Sequence, residues 1–198
     1  MSDAAMNGSL TLCRGFIGRI TVVAVAICAA TAFGAAQKTP YEATAVGKLA
    51  GIVTQNIDML HQKAGSSNVW EVHGSGVYHH CRRCGDEKTF EQICAMLDAG
   101  AEVPRCACGG PYKPDITFFG EMLPEKAFAA AQELAIRAKV MLVLGTSLTV
   151  FPAAGLPRLT LQAGGKVFIV NGQATALDDY AAGCYDALQT FADAVLAM

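Results

Sequence analysis

All four histidines of this 198-residue chain, His61, His73, His79 and His80, fall between Ile52 and Cys84, as does its one tryptophan, Trp70. The same stretch holds the polar turn Gln55-Asn56-Ile57-Asp58 and the first half of a cysteine quartet. Histidine is the side chain best suited to move a proton near neutral pH, so His73, followed by Gly74, is a candidate base. A structural histidine at a strand end fits the local sequence equally well.

The quartet is Cys81-x-x-Cys84 and Cys106-x-Cys108, separated by Gly85 to Arg105. Two short cysteine knuckles joined by a helical spacer are the layout of a tetrahedral four-thiolate zinc site. Soft thiolates select zinc over magnesium or calcium, and a closed four-cysteine site leaves no open position, so the metal would be structural. Unligated thiols or a redox pair are the competing reading. The second knuckle is tighter than the usual two-residue gap, which leaves His79 and His80 as substitute ligands. Cys13, Cys28, Cys94 and Cys184 lie in apolar or helical contexts and are read as ordinary buried thiols.

The elements around these residues follow from hydrophobic patterning. Short apolar runs at Gly47–Val53, Val69–Val72, Val140–Leu144 and Lys166–Val170 alternate with helical segments, which predicts an α/β fold with a largely parallel sheet. Three of these runs end in polar turns. In such sheets ligands bind at the carboxyl ends of the strands. Gln55, Asn56 and Asp58 are therefore placed to meet a ligand. Gly145-Thr146-Ser147 is placed to offer backbone N–H groups to a phosphate ahead of a helix, and Asn171-Gly172 closes the fourth run. Lys88 to Gly100 has the spacing of an amphipathic helix closed by Gly100, with Phe90, Ile93, Met96 and Leu97 on one side. Tyr112 to Glu121 reads as a rigid extended segment, with Phe118 and Phe119 expected in the core or as part of a peptide-binding edge. Helices are expected over Leu60–Gly65, Pro124–Ala138 and 185–197.

Composition bounds the rest. Hydrophobic residues make up 53% and charged ones 16%, enough for one packed domain. The net charge of −2 disfavours a zinc-ribbon nucleic-acid binder. Residues 1–46 form an atypical, apolar N-terminal segment in which Ile20 to Ala36 carries no charge. A short membrane anchor, a signal peptide and a buried parallel strand all fit that run. Reduced thiolates favour a cytoplasmic location and disfavour export or a membrane.

Taken together, TQNIDMLHQKAG, EVHGS, the cysteine quartet, KPDITFFGE, GTSLTVFPAAGLP and IVN resemble the sirtuins, the NAD-dependent protein-lysine deacylases. They occur in that family's order from about Gly47 to Met198. The resemblance implies a Rossmann-like domain over 47–198 with a zinc module inserted at about 78–113. The acyl-lysine amide oxygen would attack the nicotinamide ribose, with nicotinamide released. It further implies His73 as the base acting on that ribose, and Gln55, Asn56 and Asp58 around the nicotinamide. Gly145, Thr146 and Ser147 would hold the diphosphate side, and Asn171 and Gly172 the adenosine ribose. Cys81, Cys84, Cys106 and Cys108 would hold one zinc ion. Thr117, Phe118, Phe119, Gly120 and Glu121 would line the acyl-lysine tunnel, and an adenine contact would fall near Cys184. The partner implied is an acyl-lysine protein or peptide. One departure stands out. The family's opening strand, Gly-Ala-Gly-Ile-Ser type loop and Pro-Asp-Phe-Arg element are missing from residues 1–46, as in a truncated or frame-shifted member, so a binding-only protein is the alternative to an enzyme.

Overall fold

A computed structural model describes residues 22–26 and 49–191. Its main sheet is built from β1 (Val22–Ala26), β2 (Leu49–Thr54), β3 (Val69–Glu71), β7 (Val140–Leu144), β8 (Lys166–Val170) and β9 (Gly183–Tyr185). The order is β3-β2-β1-β7-β8-β9 and every pairing is parallel. The α/β, Rossmann-like expectation holds. Of the three readings of Ile20–Ala36, the strand is the one seen at Val22–Ala26, which lies between β2 and β7. The rest of residues 1–46, with Cys13 and Cys28, lies outside the described residues. β9 was not anticipated: three residues, Gly-Cys-Tyr, carry no apolar run to announce a strand.

One face of the sheet is covered by two helices, α3 (Glu125–Arg137) and α4 (Leu156–Gln162). α3 presents Ala131 and Ala135, both 0% exposed, and small residues let it sit close to the strands. Val53, Met141, Val143, Val167, Ile169 and Leu156 complete this core. Burying each such side chain contributes about 1.5–3 kcal/mol. α3 starts directly after Pro124, whose fixed φ suits a helix entry. The Thr160 hydroxyl, fully buried, donates to the Ala135 carbonyl at 2.7 Å. That satisfies an oxygen in the last turn of α3, which would otherwise lack a partner.

A second, antiparallel sheet is inserted after β3. It comprises β4 (Gly74–Cys81), β5 (Glu87–Thr89) and β6 (Tyr112–Ile116), in the order β5-β4-β6. Helix α2 (Phe90–Asp98) follows β5 with its Thr89 hydroxyl accepting the Gln92 N–H and the Gln92 side chain accepting the Thr89 N–H, a reciprocal cap. Ile93 is its one buried residue. The short helix α1 (Leu60–Lys63) lies between β2 and β3 and is followed by Gly65 at φ 93°. The helix expected straight after Gly145-Thr146-Ser147 starts later. Leu148 takes φ 54°, and a 3₁₀ turn at Ala153–Gly155 precedes α4. Of the closing helix expected over 185–197, the first turn is described, with Phe191 N–H donating to the Ala187 carbonyl; residues 192–198 lie outside the description. Among the described residues no helix is long and apolar enough to cross a membrane.

Candidate active site

The chain passes from β1 to β2 and β3 on one side of the sheet, and from β7 to β8 and β9 on the other. The strand order therefore reverses between β1 and β7, and the carboxyl ends there border a crevice. Gly145, Thr146 and Ser147 follow β7 at this point. Gln55, Asn56 and Asp58 follow β2, His73 follows β3 with Val72 between, and Asn171 and Gly172 follow β8. The predicted cofactor-facing residues thus share one edge of the sheet.

Each turn is held by its own side chains. The buried Thr54 hydroxyl accepts the Asn56 N–H at 3.1 Å. Asp58 accepts the Leu60 N–H at 3.0 Å and so opens α1. Gly145, at φ 63°, donates its N–H to the Val170 carbonyl at 2.8 Å. The Thr146 hydroxyl accepts the Leu148 N–H, and Ser147 and Thr149 share a hydroxyl hydrogen bond at 2.9 Å. Asn171 donates its side-chain amide to the Gln173 carbonyl at 2.7 Å, and its N–H to Tyr185.

His73 is half-buried at the seam of the two sheets. Its carbonyl accepts the Thr117 N–H at 2.9 Å, and the next residue, Gly74, pairs with Ile116. Gly74 has φ 77°, and a Cβ there would lie 1.9 Å from the Asp115 carbonyl oxygen. No other residue fits that approach. Burial pushes the His73 imidazole below its ordinary 6.5, and the Gln55 main chain opposes this in part. The ring is therefore neutral near pH 7, as a base must be.

His73 and Thr117–Glu121 line one cleft of about 820 Å³ with Leu123, Phe128, Val150, Phe151 and Pro152. The core placement weighed for Phe118 and Phe119 is overturned: Phe118 is 49% exposed and Phe119 98%. Met122 and Phe151 are exposed beside them. A wall of exposed aromatic and thioether side chains facing a histidine is a surface that an apolar substrate chain can cover. Sequence reasoning missed Val150, Phe151 and Pro152 as part of this cleft. They stand in the quoted GTSLTVFPAAGLP run, and a bulky Phe beside Pro in a polar loop was the available signal.

The four cysteines converge as expected. Their sulfurs all lie within 4.8 Å of one another, with Cys81 to Cys108 at 3.4 Å and Cys84 to Cys106 at 3.6 Å. Tetrahedral ligation with zinc–sulfur bonds of about 2.3 Å requires sulfur separations of roughly 3.8 Å, so the set fits that ion. The tight second knuckle works because Gly109 takes φ 83°, and at Gly110 a Cβ would lie 2.7 Å from the Cys81 sulfur. Backbone N–H groups of Cys84 and Arg83 draw the Cys81 thiol down to about 6. Cys84 moves the other way: the Asp86 N–H lowers it, but the three neighbouring sulfurs together push it up. A divalent cation among the sulfurs would hold all four as thiolates. His79 and His80 are engaged elsewhere. Buried His79 packs against Phe90, and His80 pairs with Asp115 at 2.7 Å and Glu87 at 3.3 Å. Cys184, read as a buried thiol, is exposed on edge strand β9.

Comparison with known proteins places this arrangement. The Sir2 family model matches residues 31–152. The chain is 46% identical to an NAD-dependent protein deacetylase of Thermotoga maritima over 136 residues, 68% of this chain and 55% of that protein. It is 44% identical to NAD-dependent protein deacetylase 1 of Pyrobaculum aerophilum over 137 residues, 69% of this chain and 53% of that one. The chain thus spans about half the length of these curated relatives. Among solved structures, Sir2Tm bound to a propionylated peptide superposes with a TM-score of 0.76 at 42% identity, covering 78% of this chain and 66% of that one. A mutant Sir2 with p53 peptide and NAD gives 0.80 at 32% identity, covering 97% of each. With a family match over more than half its length and the sheet, cleft and cysteine cluster in place, the chain belongs to the Sir2 family.

Proposed function

We propose that this chain is an NAD-dependent protein-lysine deacylase, acting on acyl-lysine proteins or peptides in the cytoplasm, with one structural zinc ion. The observation that carries the reading is the position of His73. It stands at the end of β3, neutral near pH 7, in the same cleft as the exposed Phe118 and Phe119. The relatives' names support the chemistry, since two of them are NAD-dependent protein deacetylases.

The cofactor fits the donor set. A doubly wound sheet with a small polar turn at its switch point is built to receive a dinucleotide. Gly145, Thr146 and Ser147 would hold the diphosphate side, and Asn171 and Gly172 the adenosine ribose. Gln55, Asn56 and Asp58 would surround the nicotinamide and its ribose. When bound, NAD would supply a ribose carbon for the acyl oxygen to attack and nicotinamide as the leaving group. His73 would take a proton from a hydroxyl of that ribose. Thr117 to Glu121, with Phe118 and Phe119, hold the acyl-lysine side chain against His73, and Thr117 gives that wall a more polar point. The apolar wall excludes water, which strengthens every polar contact within the cleft. Cys81, Cys84, Cys106 and Cys108 would hold zinc, which keeps β4 and β6 in register and takes no part in the chemistry. Nothing in the charge distribution calls for nucleic acid.

A second reading, binding of NAD or protein without turnover, rests on one sequence observation: residues 1–46 contain no Gly-Ala-Gly-Ile-Ser type loop. Nicotinamide release from NAD and an acetyl-lysine peptide separates the two. Peptide-dependent release, lost in His73→Ala, supports the enzyme; NAD binding without release supports the second reading.

A further inference from the structure

The exposed turn Thr117 to Glu121 is not held by burial. Phe119 is 98% exposed and Phe118 is 49% exposed, so hydrophobic packing alone does not fix it. Its hydrogen bonds lead to one residue that no part of the reading above uses, Lys113 on β6.

The Lys113 ammonium lies 2.9 Å from the Glu121 carboxylate, 2.8 Å from the Ile116 carbonyl and 3.4 Å from the Pro114 carbonyl. An ammonium has three donors, and these three acceptors use them all. The same nitrogen sits 4.5 Å from the centroid of the Phe118 ring, within cation–π range. Glu121 then closes the turn from the other end. Its carboxylate accepts the Phe118 N–H at 2.9 Å, and its own N–H donates to the Phe118 carbonyl at 3.0 Å. The Phe118 N–H and the Lys113 ammonium both hold the Glu121 carboxyl below the usual carboxylate range, so Glu121 is ionised at neutral pH. At its start the turn is tied to the base, through the Thr117 N–H on the His73 carbonyl at 2.9 Å.

We infer that Lys113 is a positioning residue: its ammonium orients Glu121 and the Phe118 ring, and so sets the acyl-lysine wall relative to His73. This rests on the assignment of the cleft to acyl-lysine. A partly exposed ion pair contributes little to global stability, so the role of the pair is orientation. β6 also pairs Lys113 with His80 and Tyr112 with Cys81. The clamp therefore starts from the strand that the four-cysteine cluster fixes, and order in that cluster passes to the substrate wall through one side chain.

The test uses the full, zinc-loaded chain with Lys113→Met, Lys113→Arg and Glu121→Gln. Binding of a fluorescent acetyl-lysine peptide is followed by anisotropy and NAD binding by calorimetry, with Tm alongside. Lys113→Met is expected to weaken the peptide about tenfold, equivalent to ~1.4 kcal/mol. NAD affinity should stay within about twofold and Tm within about 3 °C. Lys113→Arg should recover most of the loss, and Glu121→Gln should add little on the Lys113→Met background, because the two residues act as one unit. Wild-type peptide affinity in Lys113→Met overturns the inference. So does a joint fall of peptide affinity, NAD affinity and Tm, which marks structural support alone. A wild-type chain that takes up NAD and no acetyl-lysine peptide overturns instead the substrate reading beneath it.

Discussion

The parallel sheet and the four-cysteine module are held together by different physics. In the sheet, Val143 and Met141 are 0% exposed, as is Ala131 on α3, and the core runs on through α3 and α4. In the module, Ile93, Cys81 and His79 are the buried residues apart from Gly110, while Phe90, Leu97 and Val103 stay exposed. Its order comes from thiols, caps and polar pairs instead. The Tyr112 hydroxyl donates to Asp86, Lys88 pairs with Asp86 at 3.1 Å, and Arg83 donates to the Cys108 carbonyl at 2.6 Å. A unit this small cannot bury enough apolar surface to order itself, so a metal supplies what the core does not. His73 lies where the two regimes meet: β3 delivers it, and the module's returning strand β6 sets what faces it.

This contrast predicts which perturbations act where. The largest effect should come from metal removal, because a structural zinc contributes about 10–16 kcal/mol of apparent binding energy in small sites. Chelation, or Cys108→Ser, should raise amide hydrogen exchange across 78–116 while β7 and β8 remain protected; equal loss in both regions would break the contrast. Next comes the core. Ile169→Ala, at a position 2% exposed, should cost about 2–5 kcal/mol in urea unfolding and leave metal affinity unchanged. Thr160→Val removes the hydroxyl from the Ala135 carbonyl and should cost about 1–3 kcal/mol in the same assay. Thr89→Ala deletes the α2 cap and should cost about 1 kcal/mol, read as faster exchange in 90–98 only.

The pH effect at the seam should be the mildest. The folded pKa of His73 is lowered by burial, so its contribution to stability is present above the unfolded value of 6.5 and is lost as pH falls through the folded value. The base stays neutral over the same range. Turnover should therefore hold its plateau below pH 6.5 before the acid limb begins. An acid limb centred above 6.5 would show that His73 is not the titrating base.

Much of the sheet was legible because Val140–Leu144 and Val167–Val170 are unbroken apolar runs, which an interior strand accommodates. Their polar ends were legible for the same reason. The cysteine site was legible from spacing, although not the glycines at 109 and 110 that let the tight knuckle close. The antiparallel β4–β6 pairing was less so, since Gly74, Gly76 and Pro114 blur any alternation. The exposure of Phe118 and Phe119 was not legible from their hydrophobicity; only the resemblance pointed to it. Side-chain hydrophobicity tells how much a residue gains from burial, and it does not tell whether its own chain or a substrate provides the cover. Lys113 escaped for a related reason: a lysine in an extended segment looks solvated until Glu121 and the Phe118 ring fold back over it.

The central claim is that His73 and the wall opposite it form a working deacylation site. It is tested most directly by nicotinamide release from NAD, with and without an acetyl-lysine peptide, by the zinc-loaded chain. The account predicts release that depends on the peptide and falls by about 10²–10⁴-fold in His73→Ala, the usual contribution of a general base. Release that ignores the peptide, or persists undiminished in His73→Ala, would contradict it.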